Sequence, residues 1–168
     1  GVREDRHDLR VQALVQAVQR LPQQVQKLEE AVEQDQVPEH IADDLISRVI
    51  SSLVVILTDA GESPEFKQAI LAAFVPLGKL RAAASVDALM QFVAWASATR
   101  DDQAHQALVE EAVSALSGIG FPALERAGKF FNDLSDKVRR AVARVYARTG
   151  DERGFALVHD AGYQVCRP

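Results

Sequence analysis

The first apolar rhythm along the chain is a heptad. Val11, Leu14, Val18, Leu21, Val25, Leu28 and Val32 alternate steps of three and four residues, with Val at each a position and Leu at each d position. β-Branched residues at a with Leu at d favour two parallel strands, so one expectation is a homodimer joined through these residues. The other is a kinked helix, or two helices, laid on the body of the same chain. Pro22 falls in mid-pattern, where a proline costs a helix roughly 3 kcal/mol. The e and g positions (Val15, Ala17, Pro22, Gln24, Glu29 and Ala31) lack complementary charges, and Val15 and Ala17 widen the apolar stripe. On either reading the chain divides into a heptad-patterned segment, 1–36, and a helical domain, 37–168.

After QDQVPEH the rhythm becomes that of a globular helix. Pro38, acidic residues in the first turn and Gly61 beyond the end frame EHIADDLISRVISSLVVILTDAG, which suits the helix dipole and the terminal caps. Ile41, Leu45, Ile46, Val49, Ile50, Leu53, Val54 and Leu57 cover so much of its circumference that a central position is expected. Ser63 and Pro64 then read as N-cap and first residue of the next helix, which Pro76 bends or ends. Ser85 reads as the cap of VDALMQFVAWASA, Asp101 or Asp102 as that of QAHQALVEEAVSALSGIG, and Ser135 as that of DKVRRAVARVYARTG. FPALERAGKFF lies between the last two, and Asp151 opens ERGFALVHDAG. No stretch alternates with period two between hairpin turns. The pattern predicts an all-α protein of about eight helices with short connections.

Three helix ends carry the same kind of step into the next helix: VPLGKLRAAASVDAL, LSGIGFPALERA and YARTGDERGFALV, with Gly78, Gly120 and Gly150 at the steps. The best-defined unit runs GFPALERAGKFFNDLSDKVRRAVARVYARTGD, with Pro122 opening one helix, Asp133 closing it, and Val138-Arg139 starting the buried face of the second. Over Gly120–Gly162 this resembles a HEAT-like repeat of the short kind found in bilin-lyase-related proteins. The resemblance implies an α-α superhelix of stacked helix pairs, in which Asp133 and Arg139 tie one pair to the next. Apart from any family, Val138, Ala141, Val142, Val145 and Thr149 share one helical face that neighbouring helices must cover. Layers of this kind stack into a curved slab with an extended surface.

Composition sharpens the class. The chain has 168 residues, 48% of them apolar and 6% aromatic, which is enough to bury a core and argues against disorder. Its net charge of −5 is uneven: residues 1–63 carry 12 acidic and 6 basic side chains, whereas residues 101–168 carry 10 and 9. A whole-protein nucleic-acid binder needs clustered cations, so that role is not expected. The lone Cys166 excludes an internal disulfide and a Cys-based zinc site, and points to a reducing, cytoplasmic setting. VISSLVVILT is about half a membrane span and follows Arg48, so no transmembrane helix is expected. No signal peptide is visible, and the opening GVREDR, which lacks a methionine, reads as a trimmed or partial chain.

Candidate chemistry is sparse. His40 and Asp44 lie one helical turn apart, but they fall in an exposed acidic first turn. His105 does not converge with Glu110 and Glu111, and His159-Asp160 sits at a helix end. No phosphate-cradling glycine loop, nucleophile elbow or His-Glu repeat is present. The sequence therefore assigns no catalytic residue, metal or cofactor. One stripe stands out: Lys137, Arg140, Arg144 and Arg148 keep to one flank of a single helix, with Arg139 on the other. It reads either as a solvated edge or as a docking strip for an acidic partner. Trp95, one turn after Phe92, reads as core or as an interface anchor. The function expected is a non-catalytic protein-interaction module or scaffold. The alternatives are a HEAT-class enzyme, bilin-lyase-like or DNA-glycosylase-like, and a helical sensory or dimerisation domain of a larger signalling protein.

Overall fold

The structure is a computed structural model and describes residues 2–59, 61–99, 103–132 and 135–153. Among these residues it contains seven α-helices: α1 (Val2–Glu33), α2 (Glu39–Leu57), α3 (Pro64–Leu80), α4 (Ala82–Thr99), α5 (Gln103–Ile119), α6 (Phe121–Ala127) and α7 (Asp136–Thr149). A 3-10 turn, Gly128–Asn132, links the last two. No strand occurs among the described residues. The helix expected after Asp151 lies, beyond Arg153, outside them, as do Asp133 and Cys166.

Helices pack in two rows. Along one, α1 rests on α3, α3 on α5 and α5 on α7; along the other, α2 rests on α4 and α4 on α6. Consecutive helices join the rows. The core between them is built on Phe74, Phe92, Leu57, Ile70, Leu71, Leu77, Leu89, Met90, Leu116 and Leu124, all fully buried. Helix α4 touches α2, α3, α5, α6 and α7. It is therefore the central element, and the expectation for α2 is corrected: Ile41, Leu45 and Val55 are 44%, 45% and 67% exposed. An apolar circumference does not make a helix central when it stands at the end of its row.

The heptad is covered by its own chain. Helix α1 packs chiefly on α3; Val11, Val18 and Val25 are buried, and Leu14, Val15, Leu21 and Leu28 pack half-buried against the core. Val32 is also half-buried. Three of the four a positions are thus buried within the chain itself. Pro22 neither ends nor divides the helix, because tertiary contact on both sides of it outweighs one missing backbone hydrogen bond. Pro76 is likewise carried inside α3.

Two further expectations fail at the α3–α4 corner. Ser85 is not a cap: α4 already begins at Ala82, and Ser85 is fully buried with its hydroxyl unpaired among the described residues. Arg81 is the corner. Its backbone N–H donates to the Leu77 carbonyl and its own carbonyl accepts from Ser85. Its guanidinium donates to Glu29 at 2.5 Å and pairs with Asp43 at 2.7 Å, tying α1 and α2 to the corner. Gly78 is not a junction either. It lies inside α3, where any Cβ would overlap the side chain of Ile119. Gly118 answers it on α5, since a Cβ there would come within 3.2 Å of Val75. The two helices approach closely by each offering a glycine to the other's branched side chain. Gly120 and Gly150 do mark junctions, with φ of +93° and +64°, a region that L side chains avoid.

At the C-terminal end, α7 buries Val138, Ala141, Val142, Val145 and Tyr146, while Thr149 is half-buried. The Tyr146 hydroxyl donates to the Leu124 carbonyl at 2.5 Å, fixing α7 to α6. Burial, and secondarily the charge of Glu125, pushes that phenol up to about 12. Arg126 donates twice to Asp87, both bonds at 2.6 Å, and clamps α6 to α4. Arg139 pairs with Asp136 on its own helix.

Candidate functional site

Helices α5 and α7 are neighbours in one row, but they do not close along their whole length. At their N-terminal halves, with the end of α4, they line a cleft of about 910 Å³. One wall carries Lys137, Arg140 and Arg144 from α7; the other carries Gln103, His105, Gln106 and Glu110 from α5; Ala107, Val109 and Ala143 give it apolar lining. Three of the four residues of the basic stripe thus share one concavity. Arg148 stands a turn farther along, outside it.

The opening follows from local sequence. On α7, the four-residue spacing of Arg140, Arg144 and Arg148 keeps long cationic side chains on the flank beside α5. On α5, the first turn reads QAHQ and holds no acidic residue, so the side chains that α5 contributes beside Arg140 there are amides and an imidazole. Acidic residues appear one turn later. Glu110 pairs with Arg144 and, at 2.7 Å, with Arg148, and Arg148 also donates to the Ser114 hydroxyl at 3.0 Å. Glu110 therefore takes up the two C-terminal arginines of the stripe, Arg144 and Arg148. Arg140 is exposed and makes no ion pair among the described residues. Burial, with the nearby charge of Arg148, pushes the Arg144 guanidinium below its usual value.

An aromatic cluster adjoins the cleft. The Trp95 ring lies 6.0 Å from Phe92 and 5.5 Å from His105, tilted to both. The Lys67 ammonium sits over Trp95 at 4.9 Å from the ring centroid. Lys67 is only 3% exposed, and burial pushes its ammonium down against the pull of Asp59 and Glu62. A cation over indole is attracted by the ring quadrupole, the more so when desolvated. Phe92 is core, whereas Trp95 is half-buried and braces the start of α3 against α5.

Sequence reasoning found the basic stripe but missed Gln103, Gln106 and Glu110, which line the cleft opposite it. The available signal was the acid-free first turn of α5, which became meaningful only once α5 lay beside α7. Elsewhere, Asp44 pairs with Arg48 at 3.0 Å and His40 is exposed. Among the described residues no group of three or more His, Cys, Asp or Glu side chains converges as metal ligands would. His159-Asp160 lies outside them. No helix among the described residues is long and apolar enough to cross a membrane. Compared with known protein families, characterised proteins and solved structures, the chain matches none.

Proposed function

We propose that this protein is a non-catalytic interaction module, a HEAT-like stack of helix pairs whose cleft between α5 and α7 takes an acidic segment of a protein partner. The observation that carries this reading is one cation of that cleft, Arg140. Arg140, exposed and in no ion pair among the described residues, lines the cleft with Gln103, His105 and Gln106, while Glu110 is taken up by Arg144 and Arg148. Cations lining a concave site raise the local concentration of anionic ligands and favour partners of complementary charge. The size also fits, since clefts of about 300–1,000 Å³ bury most of a small ligand or of a short peptide stretch.

The net charge of −5, with the excess of acid in residues 1–63, disfavours a long polyanion, whose remaining charge would meet an acidic body. The test is fluorescence anisotropy with a short, fluorescein-labelled polyglutamate peptide. Binding is expected to weaken as salt rises. Arg140→Glu should reduce affinity by about tenfold or more without loss of helicity. Unchanged binding by that variant would reduce the stripe to ordinary surface chemistry.

A further inference from the structure

Two arginines hold Glu110, but they do not hold it alike. Arg148 is anchored on both sides, to the Glu110 carboxylate and to Ser114, and does not line the cleft. Arg144 lines the cleft and also pairs with Glu110. Its guanidinium is 44% exposed, so it has room to move. We propose that Arg144 is a switching arm: an incoming carboxylate takes it from Glu110, and Arg148 with Ser114 keeps Glu110 compensated after it leaves. Glu110 is then a built-in competitor for the acidic ligand, and Arg148 lowers the cost of displacing it.

The inference rests on the reading of the cleft as an acidic-peptide site. Its physical basis is that the alternative is costly. A carboxylate that lost its only cationic partner in a half-buried groove would oppose ligand entry, whereas one that keeps an arginine and its orienting hydroxyl does not. The arrangement favours ligands that carry a carboxylate deep enough to reach Arg144. It disfavours those whose charge stops at Arg140, because only the former recover the ion pair they break.

The polyglutamate anisotropy assay tests this with Glu110→Gln, Arg148→Gln and the double variant. Glu110→Gln frees Arg144 and should tighten binding by about two- to fivefold, the range of a partly exposed ion pair. Arg148→Gln should weaken binding by a similar factor although Arg148 lies outside the cleft, and that loss should vanish in the Glu110→Gln background. Glu110→Asp, which draws the carboxylate back by one methylene, should fall between wild type and Glu110→Gln, and it serves if the Gln variant loses helicity. Equal weakening by Arg148→Gln in both backgrounds would mean that Arg148 acts only as a distant charge, and would overturn the switch. So would binding by Glu110→Gln indistinguishable from wild type. If neither wild type nor Glu110→Gln binds the peptide at low salt, the cleft reading itself fails. Tighter binding of a single-stranded oligonucleotide of matched charge would overturn the peptide assignment.

Discussion

The row of α1, α3, α5 and α7 contains two outer contacts with opposite chemistry. Where α1 meets α3, the stripe of Val11, Val18 and Val25 is buried and Leu14, Leu21 and Leu28 seal its edge. Where α5 meets α7, the flank carries arginines and the helices part to leave a cleft. The geometry of stacking is shared; the side chains on the facing flanks decide whether a contact closes. A stripe of β-branched and leucine residues closes because each buried residue of that kind contributes about 1.5–3 kcal/mol. At the arginine flank the joint is made instead by Arg144 and Arg148, which bridge to Glu110, and Arg140 is left exposed at the cleft.

The contrast breaks most visibly at the seam. Val18→Asp places an unpaired carboxylate at a position 5% exposed, and should cost about 3 kcal/mol or more in urea denaturation. A shift of less than about 1 kcal/mol would mean that α1 is not part of the cooperative core. Light scattering over a concentration series sharpens the point. With the a positions covered by α3, the mass should stay that of a monomer, and a dimer that disappears on deletion of residues 1–36 would return the heptad to intermolecular use.

The next largest effect tests the middle of the same row. Gly78→Val forces a branched side chain into Ile119, and overpacking of this kind costs about 1–3 kcal/mol. Gly118→Ala should cost less, because Val75 lies in tight contact rather than overlapping. If the two variants are equally benign, α3 and α5 are not in close approach and the row is looser than described.

How much of this contrast the sequence discloses depends on the range of the interaction. Helix α7 was legible in full, since Ser135, Gly150 and the apolar spacing of Val138, Ala141, Val142 and Val145 are all local signals. The heptad was equally legible as a pattern, but nothing local says whether its partner is α3 or another chain. Arg81 was overlooked because its meaning lies in Glu29 and Asp43, which are 52 and 38 positions away. Ser85 was misread for the complementary reason. Its resemblance to a cap is local, but packing extends α4 past it. The cleft behaves like Arg81: each wall is ordinary in sequence, and the site exists only because stacking brings residues about 103–110 beside 137–144.

A smaller effect separates the anchoring of α7 from its charged flank. Tyr146→Phe removes the bond to the Leu124 carbonyl and should cost about 1 kcal/mol at neutral pH. Because the folded protein holds this phenol's pKa up at about 12, above the ordinary 10.0, the folded state keeps the proton that the unfolded state loses. The stability gained from the bond is therefore complete below pH 10 and is lost as pH rises toward 12. The difference between wild type and Tyr146→Phe should shrink across that window, and a constant difference would mean that the hydroxyl is not the buried donor.

The smallest effect on stability is the one that decides what the α5–α7 flank is for. Arg140 is exposed, makes no ion pair among the described residues and lines the cleft, so Arg140→Gln should move the urea midpoint by no more than about 0.5 kcal/mol. The same variant should weaken capture of the acidic peptide. The seam predicts the reverse ordering, with a large cost to folding and none to recognition beyond it. A position that matters for binding and not for stability is one the fold does not need. If Arg140→Gln instead destabilises the protein as Val18→Asp does, the cleft is part of the joint between helices and the distinction between the two contacts disappears.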